Sequence, residues 1–169
     1  WVFQLHIGAV RDQRDKLLHE IGADAGGDVS DHTTPIIQPL KDFLNRFDDR
    51  LKVVMYTLDP NQQSTVAALT RAFGEKVNVG AAWWLNDSPI GMKQQLSYVA
   101  TVDVIMNHAG MVTDSRKLLS YSSRTEMFRR TLADVLGEMV EAGQIPGKIA
   151  DRIAYELSYK RPKEFFGLD

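Results

Sequence analysis

Cysteine is absent from the 169 residues of this chain, and histidine occurs only 4 times. Disulfides, thiolate metal sites and cysteine nucleophiles are thereby excluded, which leaves imidazoles and carboxylates as the available metal ligands. Long hydrophobic runs are missing too. No uninterrupted apolar stretch approaches the ~20 residues needed to cross a bilayer, and the first residues lack the basic-then-apolar layout of a signal peptide. Nor is there an excess of one charge: 20 Lys and Arg face 22 Asp and Glu, for a formal net charge of -2. The basic residues are scattered rather than gathered into a stripe, so neither nucleic acid nor an anionic membrane is an expected partner. A soluble, cytoplasmic protein is the expectation these absences leave.

What is present is the composition of an ordinary globular domain, 44% hydrophobic and 25% charged. The chain opens on Trp1 inside an apolar run, with no initiator Met and no polar lead-in. It therefore reads as a fragment cut at the start of a buried strand.

Four times the sequence passes from a short apolar run, through a polar or Gly-containing segment, into a stretch of helical periodicity, the mark of β/α units and a parallel sheet. The first run is Trp1 to Val10. It is followed by the Gly- and Asp-rich stretch Gly22 to Asp31 and then by a helix whose face is Ile36, Ile37, Leu40, Phe43, Leu44 and Phe47. The second strand is expected over Lys52 to Leu58, stopping at Asp59-Pro60, where proline opens the next helix. The third runs from Val77 to Trp84. The fourth passes through Val104, Ile105 and Met106 toward Met111-Val112 and stops at Thr113-Asp114-Ser115-Arg116. Ser123-Arg124-Thr125-Glu126 has the spacing of a capping box ahead of Phe128, Leu132, Val135 and Met139, and a last helix is expected near Pro146. Four such units fit either a small doubly wound sheet or half of a closed barrel, and periodicity does not choose. In both, ligands bind at the carboxyl ends of the strands, which here carry His6, Asp59, Trp83 to Asp87, Asp114 and Arg116.

Gln4-Leu5-His6-Ile7-Gly8-Ala9 with Arg11, then Trp83-Trp84-x-Asn86-Asp87, then Gly110-Met111-x-Thr113-Asp114-Ser115-Arg116 with Ser120-Tyr121, and finally Phe128-Arg129-Arg130 form an ordered set. In order and approximate spacing these motifs resemble those of the uronate isomerases, from Trp1 to about Gly143. The resemblance implies an α/β fold, a (βα)8 TIM barrel of the amidohydrolase superfamily. Residues 1–169 would then be the C-terminal half of its single catalytic domain, strands five to eight plus the terminal helices, with the N-terminal half absent. It implies an aldose–ketose isomerase that interconverts D-glucuronate with D-fructuronate and D-galacturonate with D-tagaturonate in hexuronate catabolism. That chemistry moves a proton between adjacent carbons through an enediol, so the site must hold the sugar, stabilise an oxygen and shuttle a proton.

The same resemblance makes Asp114 a metal ligand and catalytic residue. Arg116, two residues on, would meet the sugar carboxylate or a developing enediolate oxygen with its planar donors, and His6 is the third catalytic candidate. Of the two indoles, alternation along an extended strand sends one to the mouth of the barrel and one to the helices, and Trp84 is the expected substrate-facing one, with Asn86 beside it. One divalent metal ion, Zn or Mn, is the implied cofactor. The family's His-x-His pair is missing here, so its other ligands are expected in the N-terminal half. A hexuronate, that missing half and further copies of the chain are the expected partners. Two alternatives stand beside this reading: a metal-dependent hydrolase of the same superfamily, and a non-catalytic α/β module that associates through its open sheet edges.

Overall fold

The computed structural model describes residues 1–103 and 105–168. Strand β1 (Val2–Ile7) ends at Gly8, whose φ of 95° is a conformation that side-chain-bearing residues rarely adopt. The chain turns out of the sheet there. Ala9–Val10 (β2) pairs antiparallel with Val29–Ser30 (β3), and helix α1 (Asp15–Ile21) lies between them. The single strand expected from Trp1 to Val10 is thus two strands in two different sheets.

Helix α2 (Ile37–Arg46) follows as its apolar spacing predicts, and leads to β4 (Lys52–Thr57). Asp59 then caps a short 3-10 turn by accepting from the Asn61 amide at 2.9 Å, Pro60 supplies the first turn position, and α3 (Gln63–Phe73) continues from it. Strand β5 (Val77–Val79) is shorter than the expected Val77 to Trp84: residues 80–83 leave the ladder, and Trp84–Asn86 forms a 3-10 turn. Ser88 caps α4 (Pro89–Val102) through the Gly91 amide at 3.1 Å.

The main sheet has the order β1-β4-β5, with every pairing parallel. A parallel bridge from Val79 to His108, with the Ala109 amide donating to the Val79 carbonyl at 2.8 Å, adds a fourth position beside β5. The four apolar runs therefore lie side by side in chain order. The fourth is displaced from its expected place. Val104 lies outside the described residues, Ile105–Asn107 coils into a 3-10 turn, and only His108 reaches the bridge. Asn107 explains part of this: its side chain donates to Asp103 at 2.9 Å, a local bond that competes with an extended backbone.

Helix α5 (Leu119–Glu141) begins four residues ahead of the expected cap. Ser123 donates to the Ser120 carbonyl inside the helix and Glu126 pairs with Arg130, so that segment is helix interior and no capping box forms. Helix α6 (Gly147–Tyr155) passes through a π turn at Glu156–Lys160 into α7 (Arg161–Phe166). The π turn sits just before Pro162, which has no N–H to give to a regular helical ladder.

Alternation along β4 sets up two faces. Val53 and Met55 pack on Leu44 of α2 and on Val66, Ala67 and Leu69 of α3. Val54 and Tyr56 point the other way, onto Ala109 and Phe165, with Trp83 and Phe166 at the margin. The C-terminal helix thus folds back under this second face. Lys52 donates to the Phe165 carbonyl at 2.8 Å and Arg161 donates to Asn78 at 3.1 Å. A third cluster, built from Met92 and Leu96 of α4, Phe128, Leu132, Val135 and Leu136 of α5, and Ile153 of α6, ties the later helices together. Among the described residues, no helix is long and apolar enough to cross a membrane.

Candidate functional site

The carboxyl ends of the parallel strands converge on three aromatic rings. His6 and Tyr56 are register partners in β1 and β4, so their side chains leave the sheet on the same face, and the two rings stack 4.4 Å apart at 5°. The Trp83 ring meets the His6 ring at 4.6 Å in an edge-on arrangement. Gly80 is what makes room for this group, since a Cβ there would lie 2.2 Å from the Tyr56 ring. The Tyr56 hydroxyl donates to Gln4 at 2.8 Å. Burial pushes the phenol well above its ordinary pKa, and the nearby Asp114 carboxylate adds to this. Partial desolvation against the neighbouring rings lowers the His6 imidazole, while Asp114 acts in the opposite direction.

Asp114 enters from the segment after the fourth strand position. Its backbone is left-handed, with φ at 46°, and the Trp83 indole donates to its carboxylate at 3.1 Å. His6, Trp83 and Asp114 are thereby linked, although they come from three different strand ends.

Beside them opens a cavity of about 400 Å³, which Trp83, Trp84, Asp114, Arg116 and Arg11 help to line. Trp84 also has a positive φ, 50°, so the strict alternation expected of an extended strand fails and both indoles reach the cavity. Trp83, the one expected to turn away, is the one that touches both His6 and Asp114. The Trp84 ring instead lies under the Arg11 guanidinium at 5.1 Å. Arg11 is anchored by Asp28 at 2.6 Å, and Asp28 also accepts the Asp12 amide at 2.8 Å. The Asp12 amide first, then the Arg11 guanidinium, hold the Asp28 carboxyl below its usual range. The paired strands β2 and β3, with the Arg11–Asp28 ion pair, therefore form a wall over Trp84. Arg124, also on the cavity wall, is paired with the buried Asp87. Arg116 makes no hydrogen bond or ion pair among the described residues, which leaves its donors directed to solvent or to a ligand.

Asn86 is placed differently. It is buried and donates to the Leu58 carbonyl at 2.6 Å, fastening the turn after β5 to the end of β4, and it does not line the cavity. Asp59, at the end of β4, is buried as a turn cap. Tyr56 carries no motif signal in the sequence. Its only available clue is the register with His6, which needs the strand pairing to be known. A larger hollow, about 670 Å³, lies by Arg71, Gly74, Asn107 and Arg161 at the opposite, amino ends of the strands, away from these groups.

The chain matches the glucuronate isomerase family over residues 1–166. It belongs to that family. It is 57% identical to the uronate isomerase of Thermotoga sp. (strain RQ2) over 98% of its own length. Among solved structures it resembles the uronate isomerase of Thermotoga maritima, with a TM-score of 0.95 and 56% identity over 98% of this chain and 37% of that one. It also resembles the glucuronate isomerase of Caulobacter crescentus, with a TM-score of 0.93 and 30% identity over 99% of this chain and 35% of that one. The chain spans 37% of the length of the Thermotoga sp. relative.

Among the described residues, no group of three or more His, Asp or Glu side chains could hold a metal. Asp114 and a neighbouring imidazole are a partial donor set, and the indole already occupies one carboxylate oxygen. These residues do not make a metal site by themselves.

Proposed function

We propose that this chain forms the C-terminal four β/α units of a (βα)8 barrel whose complete site interconverts D-glucuronate and D-galacturonate with their ketose counterparts. Four parallel strand positions in chain order support the barrel reading, as does the gathering of polar groups at their carboxyl ends. The observation that carries the functional reading is the Asp114 carboxylate, oriented by Trp83 beside His6, with the unpaired Arg116 in the same cavity.

Each group has a task in aldose–ketose exchange. Arg116 offers planar donors to the sugar carboxylate or to the oxygen that gains charge as the enediol forms. His6, held in one plane by Tyr56, is placed to hold or pass a proton at a ring nitrogen. The Trp84 face, fixed by Arg11, stacks on the sugar ring. Asp114, with one carboxylate oxygen held by Trp83, would serve as one ligand of a divalent ion, zinc or manganese, whose other ligands would come from the remainder of the barrel. When bound, such an ion would polarise a substrate oxygen.

The test is turnover of glucuronate by the full-length enzyme with added metal. Asp114→Ala is expected to abolish activity and weaken metal retention, while His19→Ala, on the exposed surface of α1, leaves both unchanged. Equal losses from the two substitutions would show that the site lies elsewhere.

A further inference from the structure

The Trp83–Asp114 hydrogen bond joins two segments that leave the strand ladder early: residues 80–83 after β5, and residues 110–114 after the bridge at His108. Backbone pairing holds their roots, with the Gly80 amide donating to the Met55 carbonyl and the Ala109 amide to the Val79 carbonyl, each at 2.8 Å, but among the described residues no backbone hydrogen bond joins 81–83 to 110–114. Between them lies a fully buried polar pair, His108 and Gln95, that the proposed chemistry does not use.

The hydrogen bonds of this pair admit one arrangement. Gln95 donates its amide N–H to the Gly80 carbonyl at 3.1 Å, so its oxygen is the atom turned to His108. The Gly110 amide donates to His108 Nδ1 at 3.0 Å, so Nδ1 is unprotonated and the ring proton sits on Nε2. Nε2 then donates to the Gln95 oxygen at 3.4 Å. Gly80 begins one of the two segments and Gly110 the other. The chain Gly80, Gln95, His108, Gly110 therefore spans the gap at the root of the segments, as Trp83 and Asp114 span it at their tips. Both roots are closely packed: a Cβ on Gly80 would strike the Tyr56 ring, and one on Gly110 would come within 2.8 Å of Pro162. The His108 ring also rests on Phe128, 5.8 Å away at 22°, which ties the pair to α5.

We infer that His108 and Gln95 are positioning residues for this site: a buried strut that fixes the distance between the two strand-end segments and thereby aims the Asp114 carboxylate at the cavity. This rests on the isomerase reading for its catalytic consequence, but not for its geometry. Neither residue touches the cavity, so the strut acts through Gly80 and Gly110. A group that merely filled the core would have no reason to be polar, because a donor or acceptor left there unpaired is destabilising.

The experiment separates the strut from the chemistry. In the full-length enzyme labelled with 15N at tryptophan, the Trp83 indole resonance is assigned with Trp83→Phe, and Asp114→Asn shows where it moves when its acceptor weakens. His108→Asn keeps an acceptor for Gly110 but cannot reach Gln95, and His108→Gln does the reverse. Both are expected to shift the indole resonance toward the Asp114→Asn position and to lower kcat at least tenfold, with KM changed less than threefold. Folded variants that keep the wild-type resonance would overturn the strut. If the variants do not fold, the ring nitrogens of His108 decide the matter in the unsubstituted enzyme: 15N shifts must show the Nε2–H tautomer at neutral pH, and the Nδ1–H form or a charged ring would overturn it. An unsubstituted enzyme with the expected tautomer and indole shifts but no isomerase activity would defeat the functional reading alone.

Discussion

Strands β1 and β4 look alike as sequence, each a six-residue run rich in apolar side chains, yet they meet opposite conditions in the fold. Every residue of β4 from Val53 to Thr57 is buried, whereas in β1 only Ile7 is, and Phe3, Gln4 and His6 are exposed. Position in the sheet makes the difference. β4 has hydrogen-bonded neighbours on both sides and packing on both faces, from α2 and α3 on one and from Phe165, Ala109 and Trp83 on the other. β1 has β4 on one side and, among the described residues, a free edge on the other. A pattern of apolar residues reports the burial a strand is built for, and β1 is built for more cover than the described residues give it. The functional groups are divided the same way: His6 stands on the edge strand, and Tyr56, which holds it flat, on the central one.

The largest effect that would break this contrast belongs to the central strand. Met55 is fully buried against the α2–α3 layer, so Met55→Ala leaves a cavity that the packed neighbours cannot close. It is expected to cost about 2–5 kcal/mol in urea unfolding. A loss below about 1 kcal/mol would mean that β4 is no better packed than the edge.

The same two strands show how far the sequence can be read. The four β/α units, their order and their parallel sense follow from runs of apolar residues bounded by Gly, Pro and Asp, because those signals are local. His6, Asp114 and Arg116 are marked by motif and by their place just past a strand. Trp83 is not separable from Trp84 by any local rule, since the choice depends on a left-handed backbone at Trp84 that alternation does not foresee. Asn86 stands in a motif but spends its amide on the Leu58 carbonyl, 28 residues away in sequence. The role of Phe165 and Phe166 under the sheet is equally invisible. The tail reads as polar, and only the fold brings it back to a surface that the strand pattern alone would leave bare.

A smaller effect is set by acid, and it acts at the buried end of the sheet rather than at its edge. Burial lowers the His108 pKa from 6.5 to about 4. The unfolded chain therefore takes up a proton that the folded chain refuses between those values. Stability from this group is complete above pH 6.5 and is lost as the pH falls toward 4, at up to about 1.4 kcal/mol per pH unit for one proton. Thermal unfolding across pH 6.5 to 4 should be steeper for the unsubstituted chain than for His108→Asn. Parallel curves would show that His108 is not held neutral.

The smallest effect is expected at Phe3, and it gains its meaning from where it is measured. The side chain is 42% exposed and leans on the Phe43 ring at 5.4 Å, so part of its surface is already wet. In the isolated chain, Phe3→Ala should cost no more than about 1.5 kcal/mol, well below the 3–5 kcal/mol typical of a buried phenylalanine. If a preceding strand of a complete barrel pairs with β1, it covers the same side chain, and the cost in the full-length enzyme should rise into the buried range. Urea unfolding of the substituted chain and of the substituted full-length enzyme gives the two numbers. A rise of about 2 kcal/mol marks the edge of β1 as an internal seam. Equal small losses in both would leave that edge open in the assembled enzyme, and would remove the physical ground for placing the rest of the barrel against it.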